Sequence, residues 1–241
     1  MKYYYDLHTH SCLSPCADND NTPCDLLGMA SISGINLLAL TDHNSTLNCP
    51  AFMRAARNYG IIPIPGMELT TSEDIHVVCL FASLDDAMRF GEYVNGRRIL
   101  VENRADIFGD QLIFDENDEK IGEEKYLLPN ATDISIEDIY PIVTNYGGVC
   151  YPAHIDRHSN SIMAILGTFP EHLPFKCFEI RDSRNIKYYV ENYSLGDKIP
   201  IVSSDAHYLS DIRDAENYFE FDDGADEQTV REALIRLLRG D

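Results

Sequence analysis

Tyr3-Tyr4-Tyr5-Asp6-Leu7-His8-Thr9-His10-Ser11 is the stretch on which the fold of this chain turns. Its aromatic and apolar residues read as an opening β-strand from Tyr3 to His8. Side chains alternate across a strand, so Asp6, His8 and His10 would project from one face and set two imidazoles side by side. That is a chelate for a metal ion, placed where a strand ends. The same chemistry recurs in Thr41-Asp42-His43-Asn44, in Glu68 with His76, and in Ser203-Ser204-Asp205-Ala206-His207. Together these clusters predict one site assembled from several strands.

Outward from this stretch, apolar runs alternate with helical patterns in the order of repeated βα units, which predicts a mostly parallel sheet or barrel. Strands are expected over 3–8, 36–41, 61–65, 76–82, 148–151, 177–180 and 199–203, and helices over 24–33, 49–59, 84–94, 135–145 and 226–239. Seven strands in alternation suit a closed barrel better than an open sheet. His10, His43, Glu68, His154, Asp205 and His207 each fall at or just past a strand end, where such barrels keep their chemistry. His76 opens its strand instead, so that run is expected to be reversed or irregular. Residues 97–130 break the rhythm and read as a hairpin-like insertion turning near Asp115 to Asp118, serving as a lid, an interaction surface or a plain loop. One domain covering 1–241 is expected.

Composition narrows the function. The 241 residues hold 40 Asp plus Glu against 19 Lys plus Arg, a net charge of −21, which disfavours electrostatic capture of long nucleic acid. An anionic substrate would need locally bound positive charge, and divalent metals supply it. Residues 1–6 carry no apolar signal core and no apolar run is long enough to cross a bilayer, so a soluble, cytoplasmic protein with no membrane association is expected. Seven scattered cysteines suit reduced thiols better than disulfides. Cys12, Cys16 and Cys24 cluster beside the histidine pair without matching a zinc-finger or iron-sulfur spacing.

Imidazole nitrogens suit zinc, manganese and iron(II), and carboxylates can bridge two such ions while offsetting their charge. A lone histidine is more often a satisfied hydrogen-bonding residue, but six of the eight here, His8, His10, His43, His76, His154 and His207, fall in the motifs. His158 and His172 read as surface residues.

These motifs, with Gly66-Met67-Glu68 and Pro152-Ala153-His154-Ile155-Asp156-Arg157, stand in one order along the chain, and in that order the sequence resembles the PHP domain, named for polymerase and histidinol phosphatase. The resemblance implies a distorted (β/α)7 barrel with two to three divalent ions, zinc, manganese or iron, at its C-terminal mouth. It implies one ion on His8, His10, Glu68 and Asp205, with Glu68 bridging to a second on His76 and His154, and a third on His43 and His207. The family usually places a further Asp or His five or six residues after His10. Here that position falls on or near Cys16, with Asp18 as the alternative, and a thiolate there would favour zinc or iron over manganese. Arg157 matches an arginine the family often sets near a substrate phosphate, with Arg181 and Arg184 as weaker candidates. Glu179 matches a strand-end acid, and Asp6, Asp42 and Asp156 are expected to orient neighbouring histidines.

Metals a few ångströms apart lower the pKa of a bridging water and hold phosphate oxygens, so the implied chemistry is hydrolysis of a phosphomonoester of a small metabolite or nucleotide. Glu68, Asp205 and Arg157 are its candidate catalytic residues. A nuclease acting on short nucleic acid is an alternative within the same chemistry. An amidohydrolase is an alternative from another class, since it too opens a barrel with a His-x-His pair. Glu68 in place of a bridging lysine, and the closing Asp205 and His207, favour the phosphoesterase. A non-catalytic interaction domain would be expected to have lost ligands that this chain retains.

Overall fold

A computed structural model describes all residues, Met1 to Asp241. In chain order the strands are β1 (Lys2–Asp6), β2 (Leu37–Leu40), β3 (Ile62–Thr70), β4 (His76–Leu80), β5 (Leu112–Phe114), β6 (Lys120–Glu123), β7 (Val149–Pro152), β8 (Cys177–Ile180), β9 (Ile199–Val202) and β10 (Tyr218–Glu220). The helices are α1 (Pro23–Ile32), α2 (Cys49–Ala55), α3 (Leu84–Asn95), α4 (Ala105–Phe108), α5 (Ile139–Asn145), α6 (Ile162–Leu166), α7 (Ile186–Asn192) and α8 (Glu227–Arg239). Local chemistry fixes their starts: the hydroxyls of Thr22 and Ser83 and the carboxylate of Asp226 accept the first free backbone N–H groups of α1, α3 and α8.

The sheet is mixed and curled into a half-barrel, in the order β10-β1-β2-β3-β4-β7, while β8 and β9 pair in parallel as a second sheet. This departs from a closed (β/α)7 ring. The ladder hydrogen bonds do not run continuously around seven strands, and three pairings are antiparallel: β10 on β1, β4 on β3 and β7 on β4. The reversal of β4 explains the position of His76, because a backward strand brings its first residue, not its last, to the end where the other strands finish. Gly66 permits the tight β3–β4 approach. A methyl group there would stand 2.7 Å from the Cys79 carbonyl oxygen.

Alternate residues of the curl, among them Tyr5, Leu7, Leu37, Ala39, Ile64, Val78, Leu80 and Tyr151, bury inward against Val230, Leu234, Ile235 and Leu238 of α8. This is the period of two meeting the helical stripe. Arg231 and Arg239 pin α8 through the carbonyls of Ala82 and Gly148, at the end of the sheet opposite the histidines. The outer faces pack against α1 and α2 on one side and α3 and α5 on the other.

Between α3 and α5, β5 and β6 form an antiparallel hairpin with a bulge at Ile113/Phe114. Four elements without a clear sequence signal complete the chain: α4, α6, α7 and the edge strand β10. No helix is long and apolar enough to cross a membrane.

Candidate metal centre

β1 ends at Asp6, two residues earlier than expected, and His8 and His10 lie on the loop beyond it. That loop is held as though the strand continued: Asp205 N–H donates to the His8 carbonyl and His10 N–H to the Ala206 carbonyl, both at 3.0 Å. The two imidazoles therefore still converge, Nε2 to Nε2 at 3.1 Å. Glu68 enters from β3 and His76 from the start of β4, while His154, Asp205 and His207 follow β7 and β9. His154 and Asp205 adopt left-handed backbone angles, φ 29° and 54°. Such conformations cost about 1–3 kcal/mol each in non-glycine residues and gather where a side chain must be aimed.

Glu68 is the hub. Its Oε1 lies 2.9 Å from His76 Nδ1, 3.0 Å from His154 Nε2 and 3.3 Å from His8 Nε2. Its Oε2 lies 3.0 Å from His43 Nδ1 and 3.4 Å from His10 Nε2. Asp205 Oδ1 faces His8 and His10 Nε2 at 3.5 and 3.4 Å. His10, His43 and His207 form a further group with ring nitrogens within 4.8 Å of one another. His43 stands between the groups, with Nδ1 toward Glu68 and Nε2 3.2 Å from Cys16 Sγ. Asp18 is turned away, its carboxylate accepting from the backbone of Asp20.

Hydrogen bonding fixes which ring nitrogens face the site. Glu179 accepts from His8 Nδ1 at 2.9 Å, so Nε2 is the nitrogen that His8 turns to the cluster. Ser14 donates to Asp42 at 2.7 Å and therefore accepts from His10 Nδ1 at 3.0 Å, leaving the Nε2 of His10 turned to the cluster as well. The two Nε2 atoms stand 3.1 Å apart, close enough for both to serve one ion at about 2.1 Å once the rings are neutral. Glu68 Oε2 and Asp205 Oδ1 are buried without a hydrogen-bond partner. Buried carboxylate oxygens are costly in that state. The residues fit divalent cations.

The electrostatics agree. Burial alone would raise Glu68, but His76, His8 and His43 hold its carboxyl well below the usual range. Asp205 is likewise held down, chiefly by His8 and His10 against its burial. Cys16 is an exposed residue whose Sγ faces inward against His43; the partial desolvation there would push its thiol up, yet the neighbouring His43 and His207 pull it to about 5. His76, with burial dominant, is lowered to about 4 and stays neutral.

Arg157 donates to Asp205 Oδ2 at 2.8 Å, and Arg181 Nε is 3.9 Å from the same oxygen. Arg184 is tied to Asp182 at the surface and takes no part. Asp6 accepts from the backbone of His8 and Ser204. Asp42 reaches the ring of His10 through Ser14, which takes only the backbone N–H of the neighbouring His43. Asp156 orients no histidine; it accepts from the backbone of Arg181 and Asp182 and fixes that turn. His158 and His172 are exposed. Ser14 and Asn48, whose contacts support the His10 loop, carry no sequence signal of their own.

The sequence profile of the PHP domain matches residues 6–128. The chain belongs to the PHP domain family. PHP domains bind divalent metals, and this chain has the clustered donors to do so. A 5'-3' exoribonuclease of Haemophilus influenzae is 35% identical over 137 residues, 55% of this chain and 44% of its own length. This PHP chain thus spans less than half of that relative. In structure it is similar to a lesion-specific endonuclease from Pyrococcus furiosus, with a TM-score of 0.67 at 17% identity over 100% of this chain and 56% of the other. A candidate metal-dependent phosphoesterase from Bifidobacterium adolescentis gives a TM-score of 0.59 at 17% identity, covering 99% and 97% of the two chains. At such identities the likeness is one of fold.

Proposed function

We propose that this chain is a metal-dependent phosphoesterase that hydrolyses a phosphomonoester of a small metabolite or nucleotide. One observation carries the reading. The Asp205 carboxylate turns Oδ1 toward His8 and His10 and Oδ2 toward Arg157, whose side chain is 36% exposed. A single residue thus links the donor cluster to a guanidinium that substrate can reach. The planar guanidinium matches two phosphate oxygens at once, and Arg181 stands close enough to reinforce it.

His8, His10, Glu68 and Asp205 would hold one ion, and Glu68, His76 and His154 a second. His43, His207 and Cys16 would hold a third, with the thiolate favouring zinc or iron over manganese. When bound, the ions supply Lewis-acid polarisation of the phosphoryl group and acidify a water. Glu68 and Asp205 fix the negative charge that gathers them, and Arg157 orients the ester. The acidic surface favours a small phosphorylated substrate over long nucleic acid.

The same reading treats the whole chain as one domain, a distorted (β/α)7 barrel parted at two seams. Ile155 N–H bonds the Glu179 carbonyl at 2.9 Å across one seam, and Thr9 bridges Ala206 across the other.

Cleavage of short nucleic acid is a second reading, favoured by the 35% match to the exoribonuclease. Metal-loaded protein assayed on sugar phosphates, mononucleotides, short oligonucleotides and an amide control separates the two. Phosphate release from monoesters supports the first reading. Cleavage confined to oligonucleotides supports the second, and cleavage of the amide alone overturns both.

A further inference from the structure

The hairpin β5–β6 lies outside every metal motif, yet it is bonded to the loop that carries His10. Leu112 N–H donates to the Cys12 carbonyl at 2.9 Å. Asn48, completely buried, takes the Phe114 N–H on Oδ1 at 3.0 Å and donates from Nδ2 to the Leu112 carbonyl at 3.1 Å and to Ser11 Oγ at 2.9 Å. A backbone N–H can only donate and a carbonyl can only accept, so β5 fixes which end of the Asn48 amide is oxygen.

From there every proton has one direction. Ser11 Oγ already accepts from Asn48 and from Leu13 N–H, so its own hydrogen goes to Asp42 Oδ2 at 2.7 Å. Asp42 Oδ1 takes Ser11 N–H at 2.8 Å and the Ser14 hydroxyl at 2.7 Å. Ser14 Oγ then has two lone pairs left, filled by His43 N–H at 3.2 Å and His10 Nδ1–H at 3.0 Å. Both hydroxyls are saturated, with one bond donated and two accepted. A fully satisfied buried network of this kind is stiff, and removing one member leaves the others without partners.

We infer that Asn48 is a positioning residue through which the β5–β6 hairpin holds Ser11, Asp42 and Ser14 so that His10 keeps its proton on Nδ1 and presents Nε2 to Glu68 and Asp205. The hairpin is on this account a structural part of the metal centre. The inference rests on the metal-site reading above for its consequence, while its hydrogen-bond claim concerns the metal-free chain as well.

The test compares wild type with Asn48→Asp, which sets an oxygen against Ser11 Oγ and the Leu112 carbonyl, and with Ser11→Ala, a small change that removes the same link. Gln111→Ala is the control. Gln111 braces the same insertion through the carbonyls of Glu124 and Tyr126 and the Leu128 N–H, without touching the relay. Two quantities are read: zinc affinity by competition with a chromophoric chelator, and the His10 ring nitrogens by long-range proton–nitrogen NMR on the metal-free protein, followed to alkaline pH where the ring carries a single proton.

The expected result is an affinity loss of about 10- to 100-fold in Asn48→Asp and Ser11→Ala, with exchange or reversal of the His10 nitrogen pattern. Gln111→Ala should lose melting temperature while keeping both readouts. Unchanged affinity and nitrogen pattern in both relay variants would overturn the inference, as would a Gln111→Ala that reproduces their losses. If wild type binds no zinc, the metal-site reading fails, and the nitrogen pattern alone still decides the hydrogen-bond claim.

Discussion

Glu179 joins two loops of the site through one carboxylate: it accepts from the His8 ring at 2.9 Å and from the His154 backbone N–H at 3.0 Å. Both donors are buried, and only oxygen can serve both at once. One oxygen, Oε1, accepts from both, so in Glu179→Gln an amide that keeps its oxygen there sets an NH2 in place of Oε2, 3.0 Å from the His8 Nδ1–H, donor against donor, and must rearrange, a loss on the order of 1–3 kcal/mol. The expected outcome is zinc affinity lower by about 10- to 100-fold with the fold retained. Chelator competition beside circular dichroism checks it. Unchanged affinity would show that Glu179 is packing alone.

Metal binding should release protons. Burial would lower His8 and His43, yet Glu179, Glu68 and Asp205 around His8, and Cys16 and Glu68 around His43, hold both well above the ordinary imidazole range. In the metal-free protein these rings are therefore protonated at neutral pH, and an ion must displace those protons. Affinity should rise with pH and fall with acid. Titration calorimetry in buffers of different ionisation enthalpy measures the release, and a slope of zero would contradict the assignment.

Cys16 offers a separate reading of the same electrostatics. With its thiol pulled to about 5, it should alkylate in metal-free protein at about pH 6, where an ordinary thiol is nearly inert. Zinc should protect it if the thiolate is a ligand. Peptide mass mapping after iodoacetamide treatment shows both effects. Reaction that begins only above about pH 8, or that zinc does not slow, would remove Cys16 from the site.

The core and the site should separate under mutation. Leu234 is fully buried beneath the curled sheet, at the end away from the histidines. Leu234→Ala should cost about 2–5 kcal/mol of stability. Zinc bound per folded chain should be unchanged. Denaturant unfolding and metal analysis of the same sample test this, and a parallel loss of metal would place α8 in control of the site.

Much of this architecture was legible because chemistry and periodicity coincided. The histidine motifs fall at strand ends, the helical pattern over 226–239 corresponds to α8, and a histidine opening its strand at His76 implies a reversed or irregular run, of which β4 displays the reversal. The same logic overreached at His8 and His10. Their convergence comes from bonds to the loop around Asp205 and Ala206, because the ladder itself has stopped at Asp6. Continuity of the barrel was not legible either, since seven apolar runs specify strands and not which edges share ladders. Asn48 and Ser14 were silent for a different reason. Their roles depend on partners distant in sequence, Phe114 for one and Asp42 for the other, and a small polar residue beside a motif has no pattern that reveals a relay.

The most direct measurement is phosphate release by the metal-loaded protein on a panel of phosphomonoesters, wild type against Glu68→Gln, with bound metal counted in both. Glu68 touches five imidazoles, so its carboxylate is where the donor groups meet. The account predicts stoichiometric metal and phosphate release in wild type, with metal content reduced and turnover lower on the order of a hundredfold or more in the variant. Phosphate release that persists undiminished in Glu68→Gln, or a wild-type protein that binds metal and hydrolyses no phosphate ester, would contradict it.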